Sequence, residues 1–211
     1  MAVVPGYREI DLGVIEALCR AHPDESGFKE RLRVNRGALY LAHWAQHFEW
    51  QYAARIFSPG ARVLDWGCGT GHSDVFLALV GFTVVGYDPD PLGIQIASYL
   101  RSLQEEPFLS RMSFHLEAPR EYYEWAWASH VFEHIPSDEW SDAFRQIKTA
   151  GACRVLVSVP LGAAYFDPDH KNFWYDSSAF AADLERAGVE LGAPAEVDRE
   201  NQVIRAVVKL R

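Results

Sequence analysis

The sequence predicts an α/β fold: a doubly wound, mostly parallel sheet of seven strands, with a C-terminal antiparallel hairpin and an N-terminal helical cap. Three observations carry this. From Ala61 onward, short apolar runs alternate with segments of helical periodicity, the pattern of a parallel sheet covered by helices on both faces. The first run ends in a turn with glycines at 67, 69 and 71. The last two strands are joined by a link too short for a crossover, so they must pair antiparallel.

The elements follow in order. Residues 1–58 read as the cap and 59–211 as the main domain. A short helix is expected over 9–21, broken by "HPDESG". A longer one is expected over 34–57, where Leu41, Trp44, Ala45, Phe48, Tyr52 and Ile56 fall on one face. "SPG" at 58–60 stops it. "ARVLDW" is the first buried strand, followed by the glycine turn and a helix over 71–80. "FTVVGY" is the second strand, with a helix over 91–104 after it. "MSFHL" and "WAWAS" are the third and fourth strands. A helix over 138–149 leads to "CRVLVSV", the fifth. "SAFAADLERAG" is a helix stopped by Gly188, and "VELGAP" and "QVIRAVVKL" are the closing pair.

Composition narrows the function. With 49% apolar and 13% aromatic residues, the 211-residue chain is globular rather than disordered. A net charge of −9 disfavours nucleic acid as a partner. Cys19, Cys68 and Cys153 form no paired pattern, which fits a reducing compartment. No apolar run reaches membrane-spanning length, and the N-terminus lacks the marks of a signal peptide. The expectation is a cytoplasmic protein, monomeric or homodimeric.

The turn "DWGCGTG" lies between a strand and a helix, where open α/β sheets bind ligands. Glycines there permit a tight turn and a close ligand approach. The spacing is G-x-G-x-G, with His72 where a dinucleotide fingerprint has its third glycine, and that weakens a nicotinamide reading. Asp65 precedes the turn, a poor neighbour for pyrophosphate and a good one for an ammonium group. Asp88 closes the second strand, where a carboxylate accepts ribose hydroxyls. A nucleoside with a cationic amino-acid arm satisfies both, which describes S-adenosylmethionine.

On "VLDWGCGTG", "VVGYDPD" and "YEWAWASHVFEHIP", the chain resembles the class I S-adenosylmethionine-dependent methyltransferases over residues 60–190. The resemblance implies that Asp65 and the backbone of Gly67, Gly69 and Gly71 hold the methionine arm. It implies that Asp88 holds the ribose, that Pro89 lies against the adenine and that Glu117 faces the adenine amine. Cys68 and Ser129 complete the expected cofactor-binding set.

"SHVFEHI" follows the fourth strand directly. Methyl transfer needs an aligned acceptor and a base for its proton, and His130 and His134 are the candidates. On a helix, His130, Glu133 and His134 would share a face. With His170 they would form a donor set for a divalent metal. Two branches resembled here, the ubiquinone-pathway O-methyltransferases and the small-RNA 3′-end 2′-O-methyltransferases, bind a cation through Glu-x-x-Glu-His and a distant His. This chain has His130 where they have the first Glu, so the metal-free version is favoured. The expected reaction is methylation of a small molecule, with a hydroxyl oxygen as acceptor. N- or C-methylation and a non-catalytic cofactor-binding partner are the alternatives.

Overall fold

The computed structural model describes residues 49–102, 104, 106–163 and 167–210. The helix expected over 9–21 and the first part, up to 48, of the helix expected over 34–57 lie outside the described residues, as do His43, His47, Lys29, Arg31, Arg33 and Arg36. The described chain starts in helix α1, residues 49–56. The order is then β1 (Arg62–Trp66), α2 (His72–Leu79), β2 (Thr83–Tyr87), α3 (Pro91–Ser102), β3 (Met112–His115), β4 (Trp125–Ser129), α4 (Trp140–Ala150), β5 (Arg154–Pro160) and α5 (Ser177–Arg186). Three strands close it: β6 (Glu190–Leu191), β7 (Glu196–Asp198) and β8 (Val203–Lys209).

The sheet runs β3-β2-β1-β4-β5-β8, and β6 and β7 both pair with the outer edge of β8. Strands β3 to β5 are mutually parallel, while β8 is antiparallel to β5, β6 and β7. The expected closing hairpin is therefore present, but its first arm is two short strands rather than one. Between them lies Gly192-Ala193-Pro194-Ala195. Proline has no N–H for the ladder, so an edge strand breaks there at low cost.

Alternation along each strand builds two cores. Leu64, Ala126, Ala128, Val155, Val157 and Val159 face α4 and α5, where they meet Phe144, Ile147, Phe180 and Leu184. Val63, Trp125, Trp127 and Leu156 face the other way, onto Trp50, Ala53 and Phe57 of the first helical segment and Phe76 and Leu77 of α2. Trp50 stacks on Phe76 with ring centroids 5.2 Å apart. It is a packing residue, 7% exposed.

A buried ion pair fastens α1 to β8. Arg205 Nε donates to both oxygens of Glu49 at 3.1 Å, and Nη1 donates to Asp198 Oδ2 at 2.9 Å. The Tyr52 ring lies 4.4 Å from the guanidinium and its hydroxyl donates to Glu196 at 2.9 Å. Burial and the Glu196 carboxylate push the Tyr52 phenol up to about 12.

One local expectation fails. The segment 130–135 is a turn and not a helix, and His130 sits at φ 57°, in the left-handed region. Its backbone N–H is taken by the Ser158 carbonyl on β5 at 2.9 Å, which carries the strand pairing one residue beyond β4 and leaves no room for a helical start.

Candidate active site

The strand order reverses between β1 and β4, so the crevice at a switch point opens beyond their carboxyl ends. The glycine turn and the turn after β4 form its two lips. They touch: a Cβ on Gly67 would meet Val131 Cγ2 at 2.5 Å. Gly67, at φ +83°, is required both by its backbone angle and by that close approach. Gly69, at φ +52°, differs, because a Cβ there would meet nothing within 4 Å.

The turn's N–H groups are largely used inside the protein. Gly67 N–H and Cys68 N–H both donate to the Tyr87 carbonyl, at 2.8 and 3.0 Å, and Gly71 N–H donates to Cys68 O at 2.9 Å. Gly69 N–H donates to Asp88 Oδ2 at 2.9 Å, and Asp90 N–H to Asp88 Oδ1 at 2.8 Å. What the turn offers a ligand is therefore space and carbonyl oxygens rather than a cradle of N–H donors. Asp88 is half-buried and held rigid by these two bonds.

Behind the turn lies a residue that sequence reasoning missed. Asp74, in the first turn of α2, is 0% exposed, and its buried carboxyl oxygens have no partner beyond the Asp65 carboxyl and its own backbone N–H. It faces Asp65, which is 4% exposed. Burial, then the proximity of Asp74, pushes the Asp65 carboxyl well up; burial pushes Asp74 up to about 7. The Cys68 thiol is pushed up as well, by burial and then by Asp74, Asp65 and Asp88, so it stays a thiol and is no nucleophile. An acid at the third position of a helix reads in sequence as a favourable dipole partner, which hid it.

The other lip gathers the histidines. Glu133 is 1% exposed, and one ligand atom each from Glu133, His134 and His170 lie within 4.8 Å of one another. The His134 and His170 rings meet edge to face with centroids 4.7 Å apart. The segment carrying His170 is tied to this turn: Lys171 N–H and Asn172 N–H donate to Glu133 O at 2.6 and 3.2 Å, and the Asn172 amide donates to Phe132 O and Ile135 O. Asn172 was not expected to take part, and nothing in its sequence neighbourhood marks it.

His130 stands apart from that cluster. Its Nδ1 lies 3.2 Å from Glu133 Oε1, with the imidazole as donor, while Glu133 Oε2 is buried without a hydrogen-bond partner. Burial pulls the His130 imidazole down, but the Glu133 carboxylate outweighs it and the net direction is up. His170 goes the other way, lowered by burial and by His134 against the pull of Glu133. The expected four-residue donor set is thus three residues in space, with His130 bonded to the shared glutamate but outside the group of three.

Ser129 ends β4 with its Oγ buried and without a hydrogen-bond partner. Pro89 is exposed beside Asp88. Glu117 is exposed and lines a cavity of about 350 Å³ with Trp66, Tyr87, Arg120 and Arg145. None of Asp65, Gly67, Gly69 or Asp88 lines that cavity. Of the three aromatics at 173–175, Trp174 is buried and donates to Asp183, Phe173 is 41% exposed with its ring 5.9 Å from that of His170, and Tyr175 is 72% exposed.

The architecture recurs in solved structures. A TehB-like SAM-dependent methyltransferase from Corynebacterium glutamicum matches with a TM-score of 0.57 at 17% identity, over 95% of this chain and 96% of that one. Magnesium protoporphyrin IX methyltransferase from Synechocystis, with bound SAH, matches with a TM-score of 0.58 at 14% identity, over 94% of each chain. At such identities the likeness shows the fold. An uncharacterized methyltransferase of Synechocystis is 42% identical over 59 residues, which are 24% of this chain and 28% of that protein. The family described as Methyltransferase domain matches residues 41–192, most of the chain and both lips of the crevice. With that match added to the glycine turn, the paired strands and the reversed C-terminal edge, the chain belongs to the class I S-adenosylmethionine-dependent methyltransferases.

Proposed function

We propose that this protein transfers the methyl group of S-adenosylmethionine to a hydroxyl oxygen of a small molecule. The residues present fit that cofactor. The open space over Gly69 admits a ligand, Asp65 offers a buried carboxyl without a cationic partner among the described residues, and Asp88 is held rigidly at the strand end. In this reading Asp65 faces the ammonium, Asp88 the ribose hydroxyls, and Ser129 Oγ takes a polar group of the ligand. S-adenosylmethionine supplies a methyl group already activated on a sulfonium. What remains for the chain is to orient the acceptor and take its proton.

The observation that carries the reading is the His134–His170 pair beside Glu133, fastened to the lip that touches the glycine turn. His170, its pKa lowered, is neutral at physiological pH and able to accept a proton. His130, proton-bearing against Glu133, is a poorer base and serves to hold that carboxylate. The exposed faces of Phe173 and Tyr175 suit an acceptor with an apolar or aromatic body. The net charge of −9 favours a small molecule over RNA. No described helix is long and apolar enough to cross a membrane.

A divalent cation is the second reading. It is favoured by the buried, unpartnered Oε2 of Glu133 together with two histidines in ligand range. Such an ion would lower the pKa of the acceptor hydroxyl and fix its position. The test is an acceptor screen that follows conversion of S-adenosylmethionine to S-adenosylhomocysteine, run with and without chelator on protein purified without a histidine tag. Turnover that survives chelation supports the base, and reversible loss with about one equivalent of bound metal supports the ion. No turnover with any hydroxylated acceptor, despite cofactor binding, would favour a non-catalytic binding protein.

A further inference from the structure

Asp74, at 0% exposure, is a buried carboxyl that the proposed chemistry leaves unused and that no ion pair among the described residues neutralises. Its carboxyl is in hydrogen-bond range of the buried Asp65 carboxyl on β1, and Asp65 in turn feels the charge of Asp88 after β2, so the acids gather with no basic group among them in the described residues. Among the described residues, neither Asp65 nor Asp74 is paired with a lysine, arginine or histidine. Two adjacent carboxylates cannot both stay ionised in a dry interior without a counter-charge. The helix N-terminus stabilises one charge only weakly.

We propose that Asp65 and Asp74 share one proton in the cofactor-free protein and release it when the ammonium group of the cofactor docks against Asp65, so that Asp74 is a positioning residue that couples cofactor binding to pH. This rests on the assignment of Asp65 to the ammonium. The charge balance is the reason. Without ligand, one proton leaves the pair with a single negative charge. With the ammonium in place, the pair has a positive partner, and the proton passes to solvent. The direction of both carboxyls, raised chiefly by burial, agrees. Asp74, at 0% exposure, does not touch the ligand itself; its carboxylate acts through Asp65.

The experiment is calorimetric titration of S-adenosylhomocysteine into the full chain between pH 6 and 7.5, in buffers of different ionisation enthalpy. In this range the ligand's amine stays charged. Release of a substantial fraction of one proton is expected, with affinity tightening up to about tenfold per pH unit. Asp74→Asn, which keeps the shape and removes the titration, should abolish both the release and the pH slope. The histidines titrate alike in both proteins, so the difference isolates the pair. Binding without proton release, or an Asp74→Asn variant that keeps the wild-type slope, would overturn the proposal while leaving the cofactor assignment intact. Absence of binding at every pH would overturn the two together. Should Asp74→Asn fail to fold, Asp74→Ser, which also removes the titrating group, carries the same comparison.

Discussion

Replacing Gly69 with alanine separates ligand space from fold. Gly69 sits at φ +52°, and an added Cβ would meet no protein atom within 4 Å. The only folding cost is the left-handed backbone, about 1–2 kcal/mol for a residue with a side chain. For a chain of this size, that lowers the melting temperature by about 2–8 °C. Gly188 is the matched control: it lies at φ +80°, also has nothing within 4 Å, and sits after α5, far along the chain from the turn. Gly188→Ala should lose similar stability and bind S-adenosylhomocysteine as the wild type does. Gly69→Ala should lose about tenfold or more in affinity, roughly 1.4 kcal/mol, because the methyl group occupies ligand space. Differential scanning fluorimetry reads the first quantity and titration calorimetry the second. If Gly69→Ala binds as tightly as Gly188→Ala, the space over Gly69 is not where the cofactor lies, and the cradle assignment falls.

Four further outcomes follow from the same geometry. Asp88→Ala should weaken cofactor binding by about 1.5–3 kcal/mol, the scale of lost hydrogen bonds to a charged group, and unchanged calorimetric affinity would refute the ribose assignment. His170→Ala should reduce turnover about a hundredfold with unchanged cofactor affinity. Wild-type turnover should fall as pH drops through an apparent pKa below that of a free imidazole, because burial and His134 lower the His170 pKa. Arg205→Met leaves Glu49 buried at 1% exposure without its partner and should cost about 3–5 kcal/mol in denaturant unfolding, with the Glu49→Leu/Arg205→Met double variant recovering most of it. Asp74 has a folded pKa above its unfolded value, so the stability it contributes is present at low pH and lost as pH rises from about 4 to about 7. Asp74→Asn should therefore raise the ligand-free melting temperature at pH 7.5 relative to wild type and not at pH 4.5.

What the sequence determined by itself was whatever short-range pattern encodes. Val63 to Asp90 carries two buried strands, a glycine turn and an acid at each strand end, and the positive φ of Gly67, Gly69 and Gly71 is legible because few other residues tolerate it. The antiparallel closing edge followed from link length alone, although the break at Pro194 was hidden inside an apolar run. Tertiary structure alone decided the rest. "SHVFEHI" has helical spacing, yet His130 pairs with Ser158 on β5, and that non-local bond overrides the local pattern. That bond fixes the backbone of His130, which meets Glu133 through Nδ1, while Asn172 ties the His170 segment to the same turn, so three of the four expected groups converge. Asp74 looks like an ordinary acid at a helix start until burial sets it against Asp65. Spacing in a sequence states which side chains share a local face, whereas burial and the meeting of distant loops depend on where the sheet puts them, and those two facts set the charges in this crevice.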